Sequence, residues 1–267
     1  MSAACPHLVP TPHCVGTDID FTGEALNFGE QATLELTIVR AIDAVKGSLK
    51  LGQDLTFGIA SAELEHLYVS YPEEIQLLSS RACNSKQANW ISGREAARLA
   101  LSKLGAKPLP ILRGDAGEPI WPDRIVGSIS HCSPWSIAVA ARRETRSLTI
   151  GIDLESSDRM CKADPHSLLS LICHGTELDW VHEGDLSTRL TMIFSAKESL
   201  YKSLYPLCKR YIDFNEVEIS WCQELQCFRW KLLTSFDSNL LPVKSCAISC
   251  QQYRHLFFTC SVIELDE

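Results

Sequence analysis

The stretch IVGSISHCSPWSIAVAARRETRSLTIGIDLE, residues 125–155, holds three strand-like runs, Ile125–Ile129, Ser136–Ala140 and Thr149–Leu154. His131, Cys132, Ser133 and Pro134 are expected to turn the chain between the first two runs. The third has apolar residues at alternate positions, the period of a strand. Working upstream, residues 87–104 form the clearest helix, with Ala96, Ala97, Ala100, Leu101 and Leu104 on one face. Ser92 and Glu95 could make a local capping box there, and Gly105 suits a helix C-cap. Further upstream, Asp54–Ala60 reads as a short strand, and a helix starts at Pro72, since proline is favoured in a first turn. Between Lys107 and Asp123 the density of Pro and Gly predicts no regular structure. Downstream, residues 165–183 carry two short helices, 186–204 a longer one, and 214–265 four strand-like runs. Both halves mix helices with short strands of antiparallel character, which is the pattern of an α+β fold.

The chain has 267 residues, and at roughly 150 residues per domain that suggests two domains or pseudo-domains. Hydrophobic residues make up 45% and charged residues 22%, the balance of a folded globular protein. The net charge of −8 argues against a duplex nucleic-acid binder, which carries a basic stripe. No apolar run approaches the roughly 18 residues needed to span a bilayer. Met1 to Asp20 lacks the basic-then-apolar order of a signal peptide. Twelve cysteines occur without any C-x-x-C pair or His partners at zinc spacing. They read as reduced thiols of a cytoplasmic protein.

Gly151-Ile152-Asp153-Leu154-Glu155 places two acids at alternate strand positions. Asp153 and Glu155 then share one face while Ile152 and Leu154 turn to the core. Paired carboxylates at a strand end repel unless a cation lies between them, and a hard divalent ion such as Mg²⁺ takes such oxygen ligands. A solvated strand end is the other reading. In Phe194-Ser195-Ala196-Lys197-Glu198-Ser199-Leu200-Tyr201-Lys202, Glu198 and Lys202 share a helix face at i, i+4. Glu198 could complete a metal site and Lys202 meet an anion bridging to it. A Ser195/Glu198 capping box and an ordinary helical ion pair compete with that reading. His131 follows Gly127-Ser128-Ile129-Ser130, a strand whose small residues would let a ligand approach the backbone, and could donate to a phosphate or be a satisfied histidine. Ahead of it stand Lys86, Arg94, Arg98 and Arg113. Arg94 and Arg98 at i, i+4 repel unless an anion is nearby, or belong to a solvated face. Trp121 reads as packing. A polyphosphorylated substrate with Mg²⁺ would explain all these pieces together, since a pyrophosphate plus one more phosphate brings about −4 charge.

The segments GREAARLALSKLG (93–105), GDAGEPIWPDRIVGSISHC (114–132), GIDLE (151–155) and FSAKESLYK (194–202) closely resemble the 4′-phosphopantetheinyl transferases. The resemblance covers about residues 80–220 and is to the larger, monomeric, surfactin-synthetase-activator group, in its enterobactin-synthetase-component branch. It implies a pseudo-dimer of two similar α+β halves with the active site in the cleft between them. It implies transfer of the 4′-phosphopantetheine arm of coenzyme A to a serine of an apo acyl, peptidyl or aryl carrier protein, releasing adenosine 3′,5′-bisphosphate. Asp153, Glu155 and Glu198 would bind Mg²⁺, and Glu198 or a metal-held water would take the serine proton. Lys202 would neutralise the leaving bisphosphate, and Ser130 and His131 would contact its phosphates. Lys86, Arg94 and Arg113 would surround the 3′-phosphate and pyrophosphate.

The expected organisation is a loosely structured leader over 1–33, a first half over 34–145 and a second half over 146–267, with the seam near Arg143–Leu148. Tyr205-Pro206-Leu207-Cys208-Lys209-Arg210-Tyr211 is basic and aromatic together. Lys209 and Arg210 are expected to help dock an acidic carrier, with a solvated loop as the alternative. A Mg²⁺-dependent nucleotide or coenzyme A phosphohydrolase, and a non-catalytic module binding carriers or coenzyme A, are the rival functions. The branch resembled points towards secondary metabolism and siderophores.

Overall fold

The structure, a computed structural model, describes residues 28–50, 54–63, 71–78, 84–107, 109–143, 148–233 and 243–265. The first part of the chain forms α1 (Phe28–Leu49), β1 (Leu55–Ser61), α2 (Pro72–Gln76), α3 (Asn84–Lys103), β2 (Leu112–Arg113), β3 (Pro119–Ile120), β4 (Ile125–Cys132) and β5 (Trp135–Arg142). Strand β5 is the centre of a three-stranded antiparallel sheet in the order β1-β5-β4. Its seven residues from Trp135 to Ala141 are all buried, because both faces are covered. Ala138 and Ala140 face α3 with Ala96, Ala97, Ala100 and Leu101, while Ile137, Val139 and Ala141 face the other way into a larger core. The alanines let helix and sheet come close. At Gly58 of β1 a Cβ would stand 2.2 Å from the Ala96 carbonyl oxygen.

The second part forms β6 (Leu148–Ser156), α4 (Ser157–Lys162), α5 (Pro165–Ile172), α6 (Thr176–His182), α7 (Leu186–Cys208), a 3₁₀ turn (Phe214–Glu216), β7 (Val217–Cys222), β8 (Cys227–Leu232), β9 (Val243–Tyr253) and β10 (Leu256–Leu265). These strands make a five-stranded antiparallel sheet in the order β6-β10-β9-β8-β7. Side chains alternate faces along a strand. Phe257 and Ile263 of β10 pack under α7 with Ile193, Leu200 and Leu204. Phe258, Cys260 and Val262 pack on the opposite face with Leu34, Ile38, Ala41 and Val45 of α1 and with Ile137 and Val139 of the first sheet. The two halves thus share one core cluster.

The α+β class is as expected. Several local details differ. Helix α1 begins at Phe28, so the division at 33/34 falls inside it, and it packs on β9 and β10 rather than on the first sheet. Residues 1–27 of the expected leader lie outside the described residues. Ser92 is not a cap. Helix α3 starts eight residues earlier, and the Ser92 hydroxyl bonds Ala88 O at 2.9 Å and Ser136 Oγ at 2.7 Å. His131 and Cys132 belong to β4, leaving only Ser133-Pro134 as the turn. The segment after Lys107 does contain β2 and β3, and α4 was not anticipated. Among the described residues, no helix is long and apolar enough to cross a membrane.

Candidate active site

Strands β4 and β6 lie side by side but belong to different sheets. Two serine hydroxyls bridge the gap. Ser128 Oγ accepts from the Ile152 N–H at 3.0 Å, and Ser130 Oγ accepts from the Leu154 N–H at 3.1 Å. A buried N–H must find an acceptor, and these edge amides of β6 have no strand to supply one. The small polar residues of the Gly127–Ser130 run therefore hold the joint between the halves. Ser130 also donates to Asp153 Oδ1 at 2.9 Å. Its hydroxyl, 4% exposed as a residue, is committed to this joint rather than presented to a phosphate.

Lys202 reaches the same point from α7. Its Nζ donates to Asp153 Oδ1 at 2.7 Å and to Ile152 O at 3.0 Å, and lies 3.4 Å from Ser130 Oγ. Burial opposes the ammonium charge, but Asp153 and Glu198 outweigh it and raise the Lys202 pKa above its ordinary value. Glu198 stands one turn earlier on α7. Burial, with a smaller push from Asp153 against the pull of Lys202, brings its carboxyl up to about 7. Glu155 is brought up to about 8 by burial and by Asp153, against Arg159 and Lys202. Asp153 itself is 4% exposed, and its Oδ2 has no hydrogen-bond partner.

The cluster is short of positive charge. An unpartnered, buried carboxylate oxygen and two acids held towards their neutral forms are what a cation would relieve. All three donors are hard oxygens, which fit Mg²⁺ rather than a soft metal. Among the described residues, no group of three or more His, Cys, Asp or Glu side chains stands close enough to hold a metal ion. Lys202, not a third acid, is the group in contact with Asp153.

The expected phosphate ligands lie in the first half. Arg94 is 6% exposed, stacks 3.3 Å from the centroid of the Trp90 ring, and donates from Nε to Ile111 O at 3.2 Å. Burial brings its pKa down to about 10, with Arg113 and Arg98 adding to the fall against Glu74. Arg113 is exposed on β2, and its guanidinium lies over Gly117. Lys86 is exposed in the first turn of α3. Arg98 takes a different part, since both Glu74 oxygens accept from its Nη1, at 2.8 and 3.0 Å. Glu74 also accepts from the Ile111 N–H. His131 is exposed near the end of β4, paired in register with Ser136.

The basic segment after the acid-bearing helix is partly committed to the fold. Residues 205–208 are helical, and Arg210 makes a two-pronged pair with Glu216 at 2.9 Å on each nitrogen. Lys209 is 64% exposed and 3.9 Å from Glu118. Lys197, inside the Phe194–Lys202 motif, is buried on the opposite side of α7. It donates to Glu177 at 2.8 Å and to the carbonyls of Ile172 and Phe214. Sequence reasoning missed Trp90 and Arg159. Trp90 precedes Arg94 by four residues in a helix, a spacing that was legible. Arg159, 3.7 Å from Glu155, sits on the unanticipated α4.

Residues 73–141 match the profile described as the 4′-phosphopantetheinyl transferase N-terminal domain, and residues 149–238 match the 4′-phosphopantetheinyl transferase superfamily. The chain is 33% identical over 174 residues to the 4′-phosphopantetheinyl transferase Npt of Nocardia iowensis, covering 62% of this chain and 74% of the relative. It is 36% identical over 157 residues to PptT of Mycobacterium tuberculosis, covering 56% and 64%. It is 36% identical over 146 residues to enterobactin synthase component D of Salmonella typhimurium, covering 54% and 58%. Among solved structures, the Helicobacter pylori holo-[acyl-carrier-protein] synthase in complex with coenzyme A superposes with a TM-score of 0.36 at 18% identity, covering 43% of this chain and 99% of that one. With both halves matched and a relative aligned over most of its length, the chain belongs to the 4′-phosphopantetheinyl transferase family.

Proposed function

We propose that the protein transfers the 4′-phosphopantetheine group of coenzyme A to a serine hydroxyl of an apo carrier protein, with adenosine 3′,5′-bisphosphate as leaving group and Mg²⁺ as cofactor. The observation that carries the reading is Asp153. It is a buried acid at the joint of the two halves, with one oxygen shared by Lys202 and Ser130 and the other without a partner. Asp153, Glu155 and Glu198 would hold the magnesium by drawing closer together than they stand in this structure. When bound, it supplies Lewis-acid charge for the diphosphate under attack.

The chain's own residues do the rest. Glu198, one turn before Lys202 on α7 and beside the acid cluster, is the carboxylate that would take the proton of the carrier serine, directly or through a metal-held water. Lys202 places a fixed positive charge beside the acid cluster, where negative charge develops as the bisphosphate departs. Arg94 and Arg113 lie close enough to influence each other's charge, and Lys86 opens the same helix as Arg94. Together they offer cations to the other phosphates of coenzyme A. His131, at the exposed end of β4, is placed to donate to one of them. The free thiols among the described residues suit a reducing, cytoplasmic setting.

Intact-mass spectrometry of an apo carrier incubated with the protein, coenzyme A and Mg²⁺ tests the reading. Gain of the phosphopantetheine mass is expected. Release of phosphate or bisphosphate without any carrier would instead identify a phosphohydrolase.

A further inference from the structure

Helix α3 carries an aromatic side chain four residues before its most deeply buried cation. The Arg94 guanidinium lies 3.3 Å from the centroid of the Trp90 ring, close contact for a cation over an aromatic face. A single anchoring hydrogen bond, from Nε to Ile111 O, fixes the other end of the group. Although Arg94 is only 6% exposed, its Nη2 has no hydrogen-bond partner, and the indole Nε1 of Trp90 is likewise unpartnered. Both are buried donors, and a buried donor without an acceptor is costly unless a ligand supplies one.

The surrounding charges make this point cationic. Arg98, one turn along, is neutralised by Glu74 through its Nη1, although its Nη2 is also without a partner, and the Glu74 oxygens are used on Arg98 and on the Ile111 amide. Arg94 therefore has no hydrogen bond to that acid, and Arg113 adds a second positive charge nearby. None of the groups that dominate the charge environment of Arg94 belongs to the Asp153, Glu155, Glu198 and Lys202 cluster. The molecule thus offers a cationic point on α3 that is separate from the acid cluster, where a negative group would be held only through the metal. Coenzyme A carries two negative groups, a diphosphate at the reacting end and a monoester phosphate on the ribose.

We propose that Trp90 is a positioning residue that holds the Arg94 guanidinium, whose buried Nη2 lacks an acceptor, in place for the ribose 3′-phosphate, and that this pair makes the protein prefer coenzyme A to its 3′-dephospho form. The inference rests on the transfer reading above only for the identity of the ligand. Its physical content is preorganisation. An arginine already stacked and anchored loses little rotamer freedom on binding, whereas a loose one must be ordered by the ligand. Trp90 acts through Arg94 and needs no contact with the reacting atoms.

The test is calorimetric titration of the purified full-length chain with coenzyme A and with 3′-dephospho-coenzyme A, in the presence of Mg²⁺, on the parent, Trp90→Leu and Trp90→Phe. The parent is expected to bind coenzyme A more tightly than the dephospho form. Trp90→Leu should weaken coenzyme A by about tenfold and the dephospho form by less than about twofold, as expected for loss of a partly desolvated cation–π contact. Trp90→Phe keeps a weaker aromatic face and should cost coenzyme A about threefold. It carries the test if the leucine variant does not fold. Equal weakening of both ligands would mark Trp90 as merely structural and overturn the proposal. So would an unchanged affinity for coenzyme A, or a parent that does not distinguish the ligands. A parent showing the preference and its loss in Trp90→Leu, yet modifying no carrier, would uphold the Trp90 assignment while refuting the transfer reading.

Discussion

Gly151 lies directly against the backbone of Ser199. A Cβ at residue 151 would come within 1.8 Å of the Ser199 carbonyl oxygen and 2.6 Å of the Ser203 amide nitrogen. The contact explains why a glycine stands two residues before Asp153. It lets β6 and α7 approach closely enough for Lys202 to reach Ile152 O and the Asp153 carboxylate. Gly151→Ala must push the helix off the strand. We expect a loss of about 1–3 kcal/mol or more, typical of overpacking a tight core, together with loss of transfer. Thermal unfolding and carrier modification measured on the same preparation check this, and a stable, fully active variant would contradict it.

Asp153→Asn preserves shape but removes the charge that Lys202 and a metal would share. Transfer should fall by at least about a hundredfold, as when a preorganised electrostatic group is lost, while circular dichroism stays native. Lys202→Ala should lower turnover severely. If only the affinity for coenzyme A fell, the role of Lys202 in stabilising the leaving group would be wrong.

Glu155 and Glu198 have folded-state pKa values of about 8 and about 7, well above the ordinary glutamate value of about 4.3. The folded protein therefore binds these protons more tightly than the unfolded chain. Their contribution to stability is greatest below about pH 4.3 and is lost progressively as pH rises through about 7 to 8. In chelator, the melting temperature should fall across that range, and a Glu155→Gln/Glu198→Gln variant should flatten the fall. Added Mg²⁺ should stabilise the parent more at pH 8.5 than at pH 5.5, because protons compete for the same oxygens.

Lys197 and Glu177 are both buried, and Glu177 also accepts from the Ile219 and His174 amides. Removing one partner leaves the other charge buried and unpaired, so Glu177→Ala should cost about 3–5 kcal/mol. Denaturant titration measures it. A change below about 1 kcal/mol would mean that the pair is not held as described.

Charge reversal at Lys209, which is 64% exposed, should slow modification of an acidic carrier at low salt and matter little at high salt. Reversal at Arg210 is a different experiment, because it breaks the pair with Glu216 that anchors the turn after α7. An unchanged rate for the Lys209 variant at low ionic strength would remove this segment from the docking surface.

The chemistry of the site was legible in the sequence because it is written locally. Alternation along Gly151–Glu155 puts two acids on one face, and the Glu198/Lys202 spacing puts an acid and a base on another. Partners were not legible. The i, i+4 rule points Lys202 at Glu198, yet its hydrogen-bonded partner is Asp153, 49 residues away in the chain. Ser130 looked like a phosphate ligand, and the fold uses it to satisfy the Leu154 amide. Arg94 and Arg98 look equivalent on a helical wheel, and Glu74 from a distant short helix makes them different.

What the sequence alone determined is the inventory of the site: the strands and the helix that carry it, the acids, the cations and the motif order that identifies the family. Periodicity and residue chemistry act over a few neighbours, so they can be read without coordinates. Only the tertiary structure decided which groups neutralise one another, which hydroxyls close the seam between the halves, and that α1 covers the second sheet. Those outcomes depend on how distant segments approach and on which polar groups burial leaves without water, and neither is a property of any short stretch of chain.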